Sequence, residues 1–283
     1  MLRIILDLEN IITNCGARDI KKLLLRISLY AVDEHQDGIV LLHQPKMKIK
    51  KMGEDNFYGL LKIKTLKSPS KLVSVVRLGL ETLNLMFPMP KSVSKTVKIS
   101  HHLREYIKGR EYWETWDPNI SQTAREIFES SKNYVDILKN TFNFVLERLK
   151  LKNKMKERLG AAEAFRRREG DCDEFSDLFI ALLRANNIPS RRTVGLFIIP
   201  KNGEIFWEYH AWCEAWVPPV GWIPFDPALG FFASISWRHV SRVKMGLVPD
   251  RPMRIIKWSS KEENNIKLNE NDIKNVEIIR SPK

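Results

Sequence analysis

The sequence is poor in cysteine and has no long apolar run. Its three cysteines, Cys15, Cys172 and Cys213, are irregularly spaced and form no CxxC pair. Such a set argues against a disulfide framework and a structural zinc site, and it indicates a reducing compartment. No run of about 18 apolar residues is present for a membrane span, and Asp7 and Glu9 interrupt the apolar N-terminal stretch, unlike in a signal peptide. We therefore predict a cytoplasmic protein without membrane contact.

Acidic residues are also in the minority. The chain has 47 Lys and Arg against 34 Asp and Glu, a formal net charge of +13. This excess makes nucleic acid an alternative partner. No nucleic-acid motif accompanies it, so the favoured interpretation is a solvated, lysine-rich surface. The sequence also lacks an acidic DxDxDG loop for calcium, it predicts no cofactor, and it carries no signal for an oligomeric state.

The length of 283 residues suffices for one large domain or two smaller ones. We predict a small α+β region of unknown role over residues 1–92, with helices over 10–34 and 68–86. A larger domain is predicted over 93–260. The remaining segment, 261–283, is charged and poor in aromatic residues, which predicts a loosely ordered tail.

The larger domain is predicted to begin with helices and to continue as antiparallel strands. Apolar residues at helical spacing predict helices over 131–150 and 161–168. Apolar segments bounded by turn residues predict strands over 193–199, 205–217 and 222–225. The fold class is therefore α+β.

Cys172 lies at the start of a further predicted helix. Asp171 precedes it and Glu174 follows, the arrangement of a capping box. An apolar stripe then predicts a buried helix, with members Phe175, Leu178, Phe179, Leu182 and Leu183. The helix dipole favours a thiolate in the first turn. The hypothesis is that Cys172 is a nucleophile, although structural thiols also occupy such positions.

A cysteine nucleophile needs a base, and histidine suits this near neutral pH. Of the six histidines, His210 lies in an apolar predicted strand, where alternation places Trp212, Glu214 and Trp216 on the same face. For His210 alone a structural role is favoured, and Asp226, which precedes a proline, is by itself best explained as a turn residue. The chain separations nevertheless allow Cys172, His210 and Asp226 to converge as a Cys-His-Asp site.

Three motifs resemble the transglutaminase-like superfamily, which has a papain-like Cys-His-Asp fold. They are Gly-Asp-Cys-Asp-Glu-Phe, His-Ala-Trp-Cys-Glu and Gly-Trp-Ile-Pro-Phe-Asp-Pro, within about residues 118–232. The resemblance implies a cysteine-bearing helix packed on an antiparallel sheet, with Cys172 as nucleophile, His210 as base and Asp226 as the orienting carboxylate. The positions expected to support this site are Asp171, Arg191, Trp212, Glu214 and Trp222.

The surroundings of the predicted triad allow further expectations. Cys213 falls on the strand face opposite His210 and is expected to be buried and inert. The backbone N–H of Cys172 is a natural oxyanion donor at a helix N-terminus. Candidates for a second donor are Tyr112, Trp113 and Trp116, although core packing is the favoured role of each.

A complete triad implies acyl transfer through a thioester, in which the thiolate attacks an amide carbonyl and an amine leaves. We predict a peptide or protein substrate and a cysteine protease or peptide amidase of a type found in prokaryotes and archaea. The alternatives are a protein cross-linking transglutaminase, disfavoured by the missing calcium loop, and a deglycosylating amidase. Others are a non-catalytic binding module whose basic surface contacts nucleic acid, and a metal site built from Cys172, His210 and Asp226.

Overall fold

The structure is a computed structural model that describes residues 1–91, 93–152, 155–246, 253–257, 265–269 and 272–279. The strands of its first part are β1 (Leu2–Asn14), β2 (Ile20–Ala31), β3 (Gln36–Gln44), β4 (Lys48–Met52), β5 (Asn56–Leu66), β6 (Ser70–Thr82) and β7 (Leu85–Met86). The helices are a 3-10 helix (His101–Ile107), α1 (Pro118–Ser130), α2 (Tyr134–Arg148), α3 (Ala161–Arg167) and α4 (Cys172–Ala185). The later strands are β8 (Lys150–Leu151), β9 (Glu169–Gly170), β10 (Ser190–Lys201), β11 (Glu204–Val217), β12 (Gly221–Phe225), β13 (Ser234–Ile235), β14 (His239–Met245), β15 (Met253–Lys257), β16 (Ile266–Leu268) and β17 (Ile273–Ile279).

The N-terminal region is built from strands. The helices predicted over residues 10–34 and 68–86 are wrong, because β1, β2 and β6 occupy these stretches. Along β1 and β6 buried and more exposed side chains alternate, the period of a sheet with one covered face. Segments rich in leucine and valine, with charged residues between them, fit the two-residue period of a strand as well as they fit the period of a helix. The predicted α+β character of residues 1–92 is therefore corrected to β in the described residues.

Two N-terminal sheets share one apolar core. Their strand orders are β16-β1-β6-β3, with β17 also beside β1, and β15-β2-β5-β4. Inward-facing side chains such as Leu6, Leu25 and Leu78 form the core between them. Leu196 of β10 and Val240 of β14 belong to the same core. The N-terminal sheets thus support one side of the sheet that carries His210.

The second part of the chain is the expected α+β core. A four-stranded antiparallel sheet has the order β12-β11-β10-β14, and α4 packs on it within an apolar core that also contains α1, α2 and α3. The helices predicted over 131–150 and 161–168, and the strands over 193–199, 205–217 and 222–225, are confirmed. The fold class is confirmed, with a cysteine-bearing helix against an antiparallel sheet.

The C-terminal segment contributes to the N-terminal sheets. β16 and β17 both pair antiparallel with β1, so the described part of residues 261–283 is not a loosely ordered tail. Alternating apolar residues in Ile273–Ile279 complete the sheet edge. Residues 92, 261–264, 270–271 and 280–283 lie outside the described residues, and the predicted boundary at residue 92 stays a prediction. Among the described helices, none is long and apolar enough to cross a membrane.

Candidate active site

The first turn of α4 is fixed by the predicted capping box. The side chain of Asp171 accepts from the backbone N–H of Asp173 at 3.0 Å, and Glu174 Oε2 accepts from the N–H of Asp171 at 3.0 Å. These bonds satisfy backbone donors that a helix start leaves free. Asp171 Oδ2 also accepts from the N–H of Met155. Cys172 is therefore the first residue of a rigid, buried helix, with its side chain at the helix N-terminus.

The sulfur of Cys172 lies against β11. The backbone N–H of Ala211, the residue after His210, lowers the pKa of this thiol. The neighbouring Asp173 forms an ion pair with the buried guanidinium of Arg192 on β10. The helix start thus contacts two adjacent strands, and the sulfur lies beside the backbone that carries His210.

The surroundings of Cys172 favour the neutral thiol. Burial raises its pKa, and so do the charges of Asp173 and Asp171, while the backbone N–H of Ala211 and the charge of Arg192 oppose the change. Burial and the two carboxylates thus oppose the effect expected from the helix dipole. A nucleophilic Cys172 must transfer its proton to a nearby base at the time of reaction.

His210 and Asp226 form a buried pair. His210 Nε2 lies 2.7 Å from Asp226 Oδ2, and Asp226 Oδ1 accepts from the N–H of Leu229 at 3.1 Å. Although burial raises the pKa of Asp226, the hydrogen bonds from His210 and from a second histidine, His239, lower it to about 2. The ring of His210 stacks on Trp212, with centroids 6.0 Å apart. Asp226 is thus an anion that holds the imidazole in one orientation.

His239 is a site residue that sequence reasoning missed. Its Nε2 lies 3.0 Å from the same Asp226 Oδ2 that His210 contacts. It opens β14, a strand whose seven residues are all buried although four of them are polar. No apolar alternation marks such a strand. The only available signal was a histidine close after Asp226 in the chain.

The supporting residues Arg191 and Glu214 form a buried ionic cluster with two residues that the sequence did not indicate. Arg191 Nε and Glu214 Oε2 are 2.5 Å apart. Lys244 Nζ lies 2.7 Å from Glu214 Oε1 and 2.6 Å from Asp33 Oδ2. Glu214 is thus paired with two cations, and Lys244 connects β14 to the turn after β2. The cluster joins the N-terminal region to the sheet that bears His210.

The aromatic residues take packing roles. The guanidinium of Arg191 lies over the ring of Trp222, 4.3 Å from the ring centroid. Trp222 therefore packs against the ionic cluster. Trp113 is buried and donates its Nε1 hydrogen to Asp177 at 2.8 Å, so that hydrogen is not free for an oxyanion. Trp116 is exposed, and Tyr112 lies beneath Arg158. The packing role favoured for Trp113 agrees with the structure.

Cys213 is fully buried in the core beneath β11, as predicted. Its sulfur lies 3.6 Å from the carbonyl oxygen of Ser176 on α4. Burial raises the pKa of this thiol well above its ordinary value. It faces away from His210, as strand alternation predicts, so it is unsuited to act as a nucleophile.

Two groups of possible metal ligands lie within the part of the chain that the structure describes. One consists of His210, Asp226 and His239, and the other of Asp171, Cys172 and Asp173. Neither joins Cys172 to His210 and Asp226. The three-residue metal site considered from the sequence is therefore not assembled among the described residues.

Gly195 allows a close approach of strands next to His210. It lies opposite His210 in the β10–β11 pair, and a Cβ at Gly195 would be 1.8 Å from the carbonyl oxygen of Val240 in β14. We expect Gly195→Ala to lower the free energy of unfolding by about 1–3 kcal/mol, because β14 must move. Urea denaturation measures this.

The matched control is Gly79→Ala. A Cβ there would meet the side chains of Ile39 and Leu41 at 3.3 Å on the outer sheet face, where side chains can adjust. We expect a change below about 1 kcal/mol. Equal effects of the two substitutions would contradict the tight approach of β14 at Gly195.

The chain is similar to several known proteins. Residues 121–227 match the family model described as the transglutaminase-like superfamily. A protein of Bacillus subtilis (strain 168), uncharacterized protein YebA, is 26% identical over 158 residues. That match covers 48% of this chain and 21% of YebA, so the chain spans about a fifth of the length of this relative.

One solved structure shows the likeness of the fold over nearly the whole chain. A proposed cysteine protease from Cytophaga hutchinsonii has a TM-score of 0.62 and 14% identity, and the match covers 98% of this chain and 89% of that chain. The likeness therefore includes the N-terminal sheets. The periplasmic domain of TgpA from Pseudomonas aeruginosa matches with a TM-score of 0.44 and 14% identity, over 80% of this chain and 87% of that chain.

Proposed function

Because the chain carries a transglutaminase-like domain over residues 121–227, we propose that it is a thiol-dependent acyltransferase that cleaves amides of peptides or proteins, as a cysteine protease or peptide amidase. The observation that carries the proposal is the buried His210–Asp226 hydrogen bond, together with the position of Cys172 as the first residue of the helix that packs against the strand of His210. The C. hutchinsonii relative, described as a proposed cysteine protease, supports the same chemistry. The cytoplasmic location and a nucleic-acid contact stay predictions.

In the proposed first step the thiol proton moves to His210. Nε2 of the ring is bonded to Asp226, so Nδ1 is the nitrogen that can accept this proton. The sulfur attacks the amide carbonyl, and an S–C bond forms as the carbonyl oxygen becomes negative. The backbone N–H of Cys172 at the helix start is positioned to donate to this oxygen.

In the second step the tetrahedral intermediate collapses to a thioester. The C–N bond breaks, and the proton on His210 is donated to the leaving amine. Water then attacks the thioester while His210 takes a proton from it. The S–C bond breaks, the carboxylic acid is released, and His210 returns the proton to the sulfur of Cys172. An amine in place of water would give the cross-linking reaction of the alternative proposal.

An activated ester tests the nucleophile without knowledge of the natural substrate. With p-nitrophenyl acetate we expect a burst of about one p-nitrophenol per chain, as acyl-enzyme accumulates. Peptide mapping after acid quenching should find the acetyl group on Cys172. Cys172→Ala should abolish the burst, whereas Cys15→Ala, which removes an exposed thiol, should keep it. Acetylation of Cys15, or a burst that persists in Cys172→Ala, would refute the proposed nucleophile.

An unfolded protein substrate separates hydrolysis from cross-linking. Casein is incubated with the enzyme and a fluorescent primary amine. The proposal predicts new amino termini and no Cys172-dependent attachment of the amine. Cys172-dependent attachment without cleavage would instead establish the transglutaminase alternative. A burst on the ester with neither outcome on casein would oppose an unfolded protein as the substrate.

A further inference from the structure

One carboxylate oxygen accepts from two imidazoles. His210 Nε2 and His239 Nε2 lie 2.7 Å and 3.0 Å from Asp226 Oδ2. An ionised carboxylate only accepts hydrogen bonds, so both Nε2 atoms must carry hydrogen. Neutral His210 then has a bare Nδ1. This is the tautomer that can receive the thiol proton of Cys172.

His239 is itself held from several sides. Its ring is fully buried, and its Nδ1 lies 3.3 Å from the backbone nitrogen of Ser236 and 3.2 Å from the carbonyl oxygen of the same residue, so this side of the ring is held by the backbone. His35 Nε2, from the N-terminal region, donates to its carbonyl oxygen at 2.8 Å. Phe197 and Phe231 contact the ring edge-on, with centroids 5.0 Å and 5.1 Å away. These contacts fix the ring of His239, so its Nε2–H is held in one position towards Asp226.

We propose that His239 is a positioning residue for the Cys-His-Asp site. Its Nε2–H fixes the Asp226 carboxylate, and through Asp226 it holds the ring and the tautomer of His210. Without it, Asp226 Oδ2 keeps one donor from a side chain, and rotation of the carboxylate is restrained mainly by His210 and the N–H of Leu229. Because a misplaced general base loses rate steeply, this second donor contributes to reactivity without touching the substrate.

The same three ligand atoms lie within 4.8 Å of one another, a spacing that a divalent metal could also use. The hydrogen bonds favour the metal-free arrangement, since every Nε2 in the group faces an acceptor and Asp226 is an anion with three donors. A bound metal would require both Nε2 atoms to lose their hydrogens. The tautomers of the two histidines and the metal content of the purified protein therefore distinguish the hydrogen-bonded arrangement from a metal site.

The experiment compares His239→Phe, which removes the donor, with His239→Gln, whose side-chain amide can still donate to Asp226. The first readout is the rate at which iodoacetamide alkylates Cys172. We expect a loss of about tenfold in His239→Phe and recovery to within about threefold of wild type in His239→Gln. The second readout is ¹⁵N NMR of the histidine rings, which should show neutral His210 as the Nε2–H tautomer in the wild type and a mixture of tautomers in His239→Phe.

A matched control is His35→Gln. His35 is also a buried histidine and contacts the backbone of His239, but it does not contact Asp226. It should lower stability and leave the tautomer of His210 unchanged. Equal loss of rate in His239→Gln and His239→Phe, an unchanged tautomer, or stoichiometric zinc in the purified wild type would overturn the inference.

The inference rests on the proposed function, and its failure can be distinguished from the failure of that function. If the proposed function fails, wild-type Cys172 gains no reactivity from His210. If only the inference fails, the reactivity of wild-type Cys172 depends on His210, and His239→Phe and His239→Gln react at the same rate as each other. The NMR readout needs no reactive cysteine, so it tests the arrangement of the rings in either case.

Discussion

Replacing His210 with alanine is expected to slow the alkylation of Cys172 by iodoacetamide near neutral pH by at least about 100-fold, a typical contribution of a general base. The reason lies in the thiol. Burial raises the pKa of Cys172, and Asp173 and Asp171 raise it further, so little thiolate exists without a base. Peptide mapping by mass spectrometry at successive times measures the rate at each cysteine.

The pH dependence sharpens this expectation. The raised pKa of Cys172 means that thiolate forms late as the pH increases. In His210→Ala the rate should therefore still be rising above about pH 8.5, the ordinary pKa of a free cysteine. In the wild type, where the imidazole can take the proton, the rate should reach its plateau at lower pH. Identical profiles would mean that His210 does not act on the thiol.

Two controls accompany the His210 variant. Exposed Cys15 reacts in the same sample and reports the activity of the reagent. His101→Ala removes an exposed histidine of the 3-10 helix and should leave the alkylation rate of Cys172 unchanged. Labelling confined to Cys15, or an equal loss of rate in the two histidine variants, would refute the role assigned to His210.

The cysteine helix could be predicted from the sequence because its signals are local. Asp171 and Glu174 act within one turn, and the apolar stripe from Phe175 onwards repeats with the helical period. The strand that contains His210 could be predicted from its apolar residues and the turns that bound it, although six consecutive residues from His210 onwards are buried without alternation. The contact between Asp226 and the imidazole of His210 joins two different strand regions, so no local pattern encodes it. Its prediction depended on three motifs in the order of a known family. The predicted helix and the motifs thus indicated His210 and Asp226 as partners, and the structure shows their hydrogen bond.

The N-terminal strands and His239 show where local patterns fail. In Ile20–Ala31 the apolar residues are frequent enough to suit a helix or a strand, and pairing with β5 and β15 decides the outcome. Lys244 and Asp33 are paired although 211 residues separate them in the chain. His239 has its role only through its contact with Asp226, which the fold of the intervening segment creates. No propensity or spacing encodes such partners. These contacts are tertiary, and they connect the N-terminal region to the candidate site.

The second large effect is expected at Glu214, in the ionic cluster that joins the N-terminal region to the sheet of His210. This side chain is buried between Arg191 and Lys244, with contacts of 2.5 Å and 2.7 Å. We expect Glu214→Gln to lower the free energy of unfolding by about 3–5 kcal/mol, because it leaves buried cations without their shared anion. Denaturant unfolding followed by fluorescence measures the loss. The matched control is Glu163→Gln on α3, an exposed partner of Arg166 and Arg167, which should cost less than about 1 kcal/mol.

The pH dependence of the difference identifies its electrostatic origin. Although burial raises the pKa of Glu214, the charges of Arg191 and Lys244 and their hydrogen bonds lower it to about 2, from an ordinary 4.5. A carboxylate with a depressed pKa stabilises the fold above its unfolded pKa, and this stabilisation is lost as the pH falls through the folded value. The stability gap between wild type and Glu214→Gln should therefore be full above about pH 5 and shrink as the pH falls towards about 2. A gap that stays constant over this range would assign the effect of Glu214→Gln to packing, and a gap no larger than that of Glu163→Gln would contradict the buried cluster.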